Sequence, residues 1–432
     1  MRPFFLLAFL LGLSTGQAAQ PATIQQIEQG LRPVRPFWQP LGRPAGMSLT
    51  DRMAFHHVPG VSVAVIDHGQ VVWARGYGVL QAGQPAPVTP STLFQAASIS
   101  KAVTATAALR LVQSGQLGLD VPVNQTLRSW QLPENALTRQ HPVTLRHLLA
   151  HTAGIGMPGY LGYPAGQTLP TLTQVLDGQA PATSQPVRVE RRPGQAYAYS
   201  GGGYEVLQLL MQDAAGTAFP DLLQRQVLAP LGMTRSGFTQ PLPAALESQA
   251  AAAHQADGTP LSGRWHTYPE LAAAGLWSTP SDLARWLLAL SGAAQKIPGA
   301  LLTPGLMGQM LTNHSPGLKG WQHAYGLGLT LHGRGPTLSF GHSGINQGFR
   351  AIAVMYPQTG QGAVIMTNGE NGVPLYNELL ESIAAAYHWP GHQAGWTGWP
   401  LVLLGVLALG GGLLVSRKRR RSKRRRIAWP DL

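Results

Sequence analysis

The chain lacks cysteine altogether, and only 11% of its 432 residues are charged. Without cysteine there can be no disulfides, thiolate metal sites or cysteine nucleophile. A zinc-hydrolase motif is also missing, because the 14 histidines include no His-Glu-x-x-His pattern. Residues 20 to 390 show no internal repeat and no long low-complexity stretch. We therefore expect one elaborate domain that uses neither a metal nor a cofactor.

Positive charge is concentrated at the C-terminus. The formal net charge is +13, but nine of the 31 Lys and Arg residues lie between Arg417 and Arg426. The remaining chain needs no polyanionic partner, so we expect no nucleic-acid binding.

The N-terminal 19 residues have the features of a secretory signal peptide. Arg2 is followed by an apolar run from Phe4 to Leu13 and then by small residues suited to cleavage near Ala18 or Ala19. An uncleaved N-terminal anchor is the alternative, although the run is short for a membrane span.

A second apolar segment lies near the C-terminus, within residues 393–415. It carries no charge and would extend about 30 Å as a helix, which matches the hydrocarbon thickness of a bilayer. The basic tail, residues 416–432, follows directly and is expected in the cytoplasm by the positive-inside rule. We expect a single-pass cell-membrane protein whose domain, residues 20–392, lies outside the cytoplasm. A buried helix or a processed sorting signal remains an alternative for the apolar segment.

The order of apolar patterns predicts an α+β fold. Residues 61–66 and 71–74 read as a β-hairpin that turns at His68 and Gly69, and the Gly-free run from Ser98 to Ser114 reads as a helix. Strands at both ends of the domain with helices between them favour one sheet built from both ends. The other predicted elements are helices at 144–150, 282–290 and 374–387 and strands at 351–355 and 362–367. The helix at 282–290 is expected to have Thr279 as its cap and Pro280 at its first position.

A Ser-x-x-Lys pattern opens the predicted helix, with Ser98 and Lys101 one turn apart on the same face. A lysine with a lowered pKa can help remove the proton from a serine hydroxyl, and the helix N-terminus favours developing negative charge. The motif alone is weak. It gains weight because the chain has only five lysines and no other Ser-x-x-Lys.

Two further motifs lie far along the chain. Tyr199 precedes a glycine-rich stretch that we interpret as a loop, and a phenol stabilised by a cation could act as a base or a proton relay. His342-Ser343-Gly344 precedes the last predicted strands, and its backbone could approach a substrate closely. The amide of Ile345 could join that of Ser98 as an oxyanion hole. Taken singly, a half-buried tyrosine and an ordinary turn are the commoner explanations of these two motifs.

Together, the three motifs resemble those of the serine β-lactamase and penicillin-binding-protein-like family, in particular its class C branch of β-lactamases, D,D-peptidases and esterases. The resemblance extends from about Pro59 to Asn368. It implies a β-lactamase/transpeptidase-like α+β fold, with an antiparallel sheet flanked by helices and a mostly helical region. It also implies that Ser98 is acylated, with Lys101 as its proton partner and Tyr199 as the base. By the same resemblance, His342-Ser343-Gly344 would stand in for Lys-Thr-Gly.

Two departures from the family pattern bear on the substrate. Gly201 occupies the place of an asparagine whose amide would hold an acylamino group, which weakens the case for β-lactams. His342 replaces a lysine and is a poor anchor for a carboxylate at neutral pH. Arg350 is a candidate for supplying that charge instead, and a surface role is its alternative.

The sequence thus predicts an extracytoplasmic serine hydrolase that acts on a small-molecule or peptide substrate, including one derived from the cell wall. A lipase-like Gly-x-Ser-x-Gly occurs at residues 12–16, inside the predicted signal peptide, so its location argues against that class. An alternative with the same fold is a sensor or binding module that is acylated at Ser98 but released slowly.

Overall fold

The structure, a computed structural model, describes residues 21–33, 46–318 and 324–392. The strands are β1 (Gly60–Asp67), β2 (Gln70–Gly78), β3 (Phe94–Gln95), β4 (Trp277–Ser278), β5 (Ala324–Tyr325), β6 (Thr330–His332), β7 (Ser339–Asn346), β8 (Phe349–Tyr356) and β9 (Gln361–Thr367). Seven of them form an antiparallel sheet in the order β2-β1-β9-β8-β7-β6-β5, so strands from both ends of the domain lie side by side. A small two-stranded sheet pairs β3 with β4.

Helices cover both faces of the sheet and form a separate, mostly helical region. The helices are α1 (Pro21–Gln29), α2 (Leu49–Phe55), α3 (Ile99–Gln113), α4 (Ala136–Gln140), α5 (Leu145–Leu149), α6 (Leu172–Asp177), α7 (Gly201–Ala215), α8 (Phe219–Leu223), α9 (Ala244–Glu247), α10 (Leu271–Ala274), α11 (Pro280–Ala294), α12 (Pro304–Met310) and α13 (Gly372–Ala386). Short 3₁₀ or π turns occupy Val123–Gln125, Gln224–Leu228 and Gly335–Thr337.

Two apolar cores lie on opposite faces of the sheet. One packs α1, α2 and α13 against the strands, and the larger one joins α3 and α11 to the helical region. Strands β8 and β9 are buried along their whole length, which explains why their sequences are almost continuously apolar. This architecture confirms the predicted α+β fold with an antiparallel sheet and flanking helices.

Several local predictions are confirmed. The first hairpin turns at His68 and Gly69, which both have positive φ, as a tight two-residue turn requires. Helix α3 follows Ser98 directly and ends before Ser114. Helix α11 begins at Pro280, and the side chain of Thr279 caps it by accepting a hydrogen bond from the Asp282 amide.

One local interpretation was wrong. The glycines after Tyr199 are the first turn of α7, because the Ser200 hydroxyl accepts a hydrogen bond from the Gly203 amide and caps that helix. The His-Ser-Gly motif precedes β8 and β9, as expected, and itself lies inside β7, which pairs with β8 from Phe340 to Asn346. The alternative of an ordinary turn does not apply to it.

The predicted signal peptide, the C-terminal apolar segment and the basic tail lie outside the described residues. Among the helices of residues 21–33, 46–318 and 324–392, none has both the length and the apolar character needed to cross a membrane. The domain predicted for residues 20–392 includes all the described elements.

Candidate active site

Ser98 occupies the N-cap position of the 15-residue helix α3. The residue before it, Ala97, has a φ of 49°, a left-handed conformation that a non-glycine residue adopts at some energetic cost. This turn leads from β3 into α3 and leaves Ser98 half-buried among fully buried neighbours. The Ser98 side chain therefore lies at the positive end of a helix dipole, where developing negative charge is stabilised.

Lys101 is buried, with 1% of its surface exposed. Its Nζ donates hydrogen bonds to Ser98 Oγ at 3.2 Å and to the carbonyl oxygen of Ala273 at 2.8 Å. Burial lowers the pKa of Lys101 to about 7, although the nearby Glu205 carboxylate opposes this shift. A substantial fraction of the amine is therefore neutral at neutral pH and able to accept a proton from Ser98.

Tyr199 completes a three-residue contact with Ser98 and Lys101. Its phenol is hydrogen-bonded to the Ser98 side chain, and Lys101 Nζ lies 4.9 Å from the centre of its ring. Burial raises the pKa of Tyr199 above its usual value, and the hydrogen bond with Ser98 only partly offsets this effect. The phenol is therefore neutral at physiological pH, which favours Lys101 as the base over Tyr199, the base that the family resemblance implied.

His151 holds Tyr199 in place by hydrogen bonds to the residues immediately before and after it. Its carbonyl accepts a hydrogen bond from the Ala198 amide at 2.8 Å, and its Nδ1 accepts one from the Ser200 amide at 3.0 Å. The imidazole packs on the Tyr199 ring with the two ring centres 4.3 Å apart. Burial, followed by the charge of Lys101, lowers the pKa of His151, so the ring is neutral. These contacts give His151 the role of orienting Tyr199.

Strand β7 brings the His-Ser-Gly motif to the nucleophile. A Cβ atom built on Gly344 would lie 2.2 Å from the Ala96 carbonyl oxygen, so only glycine allows β7 to pass this close to the start of α3. Ser343 and Ile345 are half-buried, whereas His342 and Gly344 are buried, as expected for alternate residues of a strand. The Ile345 amide thus belongs to the strand segment that passes beside the nucleophile.

His342 is held as a neutral imidazole. Its Nδ1 donates to the Ser343 carbonyl at 2.6 Å, and its Nε2 accepts from the Tyr325 hydroxyl at 3.1 Å. Burial, with the charge of Lys101, lowers the pKa of His342 to about 4. The ring centres of His342 and Tyr199 are 6.2 Å apart, so the motif joins the site but brings no positive charge to it.

Two expected substrate contacts are used differently. The Arg350 guanidinium pairs with the Glu370 carboxylate and donates to the carbonyls of Asn346 and Phe349 at 2.6 and 2.8 Å. It is buried and already paired, so it is not part of the site we propose. Gly201 is buried in the first turn of α7, where a Cβ atom would meet the Tyr160 ring at 3.1 Å.

Sequence reasoning missed a set of polar residues behind the site. Asn346 Nδ2 donates to Gln95 Oε1 at 2.8 Å and to the Ala274 carbonyl at 3.3 Å, which ties β7 to β3 and α10. Glu205 is fully buried within α7. The sequence did contain a signal for Glu205, a single acidic residue between Tyr204 and an apolar run, because acidic residues are rarely buried unless they are paired.

The chain is similar in sequence and fold to several known proteins. A family profile described as Beta-lactamase matches residues 48–388. Protein flp of Staphylococcus aureus (strain COL) is 25% identical over 327 residues, which cover 72% of this chain and 60% of that protein. Penicillin-binding protein 4 of Amycolatopsis lactamdurans is 27% identical, over 76% of this chain and 85% of its own length. The octameric penicillin-binding protein homologue from Pyrococcus abyssi has a TM-score of 0.66 at 25% identity and covers 79% of this chain and 76% of that one.

The chain therefore belongs to the beta-lactamase family, within the wider group of β-lactamase and penicillin-binding-protein-like proteins. It spans about three fifths of the length of the flp relatives.

Proposed function

We propose that this protein is a serine hydrolase of the class C type, which acts through an acyl-enzyme on an ester, an amide or a D-amino-acid peptide. One observation carries the proposal: Ser98 Oγ accepts a hydrogen bond from the buried Lys101 amine, and the Ser98 side chain is also hydrogen-bonded to the Tyr199 phenol. A nucleophile beside a base of tuned pKa is the arrangement that acyl transfer requires.

The chemistry follows from the protonation states. Neutral Lys101 takes the proton of Ser98 as Oγ bonds to the substrate carbonyl carbon. The amides of Ser98 and Ile345 stabilise the resulting oxyanion. The ammonium of Lys101 then returns a proton through the Tyr199 phenol to the leaving group, and the carbonyl re-forms as an ester on Ser98. In the second step water bonds to the acyl carbon and gives a proton to neutral Lys101. The bond between Oγ and the acyl carbon then breaks, Lys101 returns the proton to Ser98 Oγ, and the acid product leaves.

We also propose that the enzyme is tethered to the outer face of the cell membrane. The uncharged apolar run within residues 393–415 and the basic tail after it support this location. Release of the full chain from membranes by an alkaline carbonate wash would contradict the proposal.

The function is tested by labelling the full chain in detergent with a fluorophosphonate and mapping the modified residue by mass spectrometry. We expect modification at Ser98, because its hydroxyl is the one beside an amine with a lowered pKa. The same sample is assayed with a chromogenic cephalosporin, short-chain aryl esters and D-alanyl peptides. Sustained hydrolysis supports an enzyme, whereas a burst without turnover supports the acylated sensor. Modification of another residue would contradict the assignment.

The neutral state of His342 predicts the charge of the preferred substrate. Because His342 is uncharged and Arg350 is paired with Glu370, neither offers a free cation to a substrate carboxylate. We expect esters and amides to react better than peptides that end in a free carboxylate. The variant His342→Lys should raise kcat/KM for a D-alanyl peptide acid, relative to its amide, by about tenfold, equal to roughly 1.4 kcal/mol of added attraction.

The acid-to-amide ratio is the readout, since it cancels any general loss of activity that a second amine near Lys101 causes. His342→Gln is the matched neutral control and should leave the ratio at its wild-type value. A ratio that does not change in His342→Lys would contradict the prediction.

A further inference from the structure

Two buried carboxyl groups lie close enough to interact electrostatically, and one of them also interacts with Lys101. Glu205 of α7 is fully buried, and Glu270, just before α10, is 1% exposed. In each side chain, Oε2 has no hydrogen-bond partner among the described residues. Because burying a carboxyl with an unsatisfied oxygen is costly, such groups are seldom kept without a role.

Glu205 is connected to Lys101 through the backbone of a single residue, Ala273. Lys101 Nζ donates to the carbonyl of Ala273 at 2.8 Å, and the amide of the same Ala273 donates to Glu205 Oε1 at 3.0 Å. One turn along α7, Gln208 Oε1 accepts from the Ala272 amide at 2.9 Å. Helix α10 has no side-chain cap of its own, so these two residues supply the acceptors that its first amides need. Glu205 thereby fixes the carbonyl that holds the Lys101 amine.

The protonation states of Glu205, Glu270 and Lys101 depend on one another. Burial, and then repulsion from Glu270, raises the pKa of Glu205 well above its usual value, and burial raises that of Glu270 to about 8. A negative Glu205 favours the protonated form of Lys101, so the two groups titrate as a coupled pair. The titratable groups that face the pair from neighbouring segments are Glu270, Tyr160, Tyr199, Tyr204, His151 and His342.

We propose that Glu205 is a positioning residue for the reaction at Ser98. It holds the Ala273 carbonyl against the Lys101 amine, and its ionised form stabilises the ammonium state of that amine. The inference rests on the proposed function, because it assumes that neutral Lys101 accepts the proton of Ser98.

The test follows the rate of fluorophosphonate labelling at Ser98 as a function of pH, in the full chain. The rate should rise with pH as Lys101 loses its proton. Glu205→Gln keeps an oxygen to accept from the Ala273 amide but cannot ionise, so the ammonium loses its support. In this variant, the rising part of the curve of labelling rate against pH should therefore move to lower pH by about one unit.

The variants Glu205→Leu and Gln208→Leu distinguish the effect of Glu205 on the position of the Lys101 amine from the effect of its charge. Glu205→Leu also removes the acceptor for Ala273, so its plateau rate should fall by about tenfold or more as the amine loses its alignment. Gln208→Leu removes an equivalent hydrogen bond from the preceding amide of α10, that of Ala272, and the rising part of its rate–pH curve should stay at the wild-type pH. Thermal melting of each variant verifies that it is folded.

The outcomes distinguish the inference from the function. Suppose that Ser98 is labelled in the wild type, that the rate–pH curve of Glu205→Gln is not shifted, and that the two leucine variants lose equal amounts of the plateau labelling rate. This result overturns the inference alone. No labelling at Ser98 in the wild type overturns the proposed function and the inference together.

Discussion

Replacing Ser98 with alanine is expected to lower kcat/KM for a reactive ester by about 10⁴-fold or more, because the acyl-enzyme cannot form without its hydroxyl. The substitution removes the group that contacts both Lys101 and Tyr199, yet it leaves the buried amine bonded to the Ala273 carbonyl. The fold should therefore persist, with a melting temperature close to that of the wild type. Ester hydrolysis and covalent labelling, measured side by side, check both expectations.

Ser100 provides a matched control within the same motif. Its hydroxyl donates to the Ala97 carbonyl at 2.5 Å and accepts from the Leu276 amide at 3.0 Å, so it faces the core and not Lys101. Ser100→Ala should cost about 1–3 kcal/mol of stability, because it leaves a buried amide unpaired, while labelling at Ser98 continues. Full activity in Ser98→Ala, or loss of labelling in a well-folded Ser100→Ala, would contradict the assignment.

The parts of the fold that sequence reasoning recovered are those fixed by neighbouring residues. The turn at His68 and Gly69 and the cap at Thr279 depend on contacts within a few positions. Pairing of β1 with β9 joins residues about 300 positions apart and leaves no comparable local signal. That pairing was expected only in outline, from strands at both ends of the domain.

The glycines after Tyr199 show how tertiary contacts override local propensity. Three successive glycines favour a loop, since glycine is a poor helix former. In the structure a Cβ atom on Gly201 would lie 3.1 Å from Tyr160, and one on Gly202 would lie 2.9 Å from Met157. The small residues allow α7 to start against a packed loop, which places Tyr199 one residue before the helix cap.

The contacts of the active site also fall into two groups, those that local sequence spacing predicts and those that depend on the folded arrangement. The contact between Ser98 and Lys101 follows from the spacing of residues one helical turn apart. The approach of Tyr199, 98 positions beyond Lys101, was expected from the family resemblance rather than from any local rule. The pairing of Arg350 with Glu370 and the link from Glu205 to Ala273 depend on the folded arrangement of separate segments.

Replacing Lys101 with methionine is expected to reduce the rate of acylation at Ser98 by about 10³-fold, the range in which a well-placed general base acts. Methionine is unbranched and fills a similar apolar volume, so the buried site stays packed while the base is lost. In the wild type the rate should rise with pH through about 7, because only the neutral form of Lys101 accepts a proton. In the variant this limb should disappear, because Tyr199, with its raised pKa, stays protonated over the same range.

The control for this prediction is Lys296→Met, which removes the charge of an exposed lysine and should keep both the rate and the limb. The two measurements together decide which group is the base. If Lys101→Met kept a limb near pH 7, the titrating group would have to be another residue. His151 and His342 could not supply it, because burial holds the pKa of each below its usual value. A limb retained in Lys101→Met would therefore contradict the assignment of Lys101 as the base, whereas its loss would attribute the pH dependence to the amine beside Ser98.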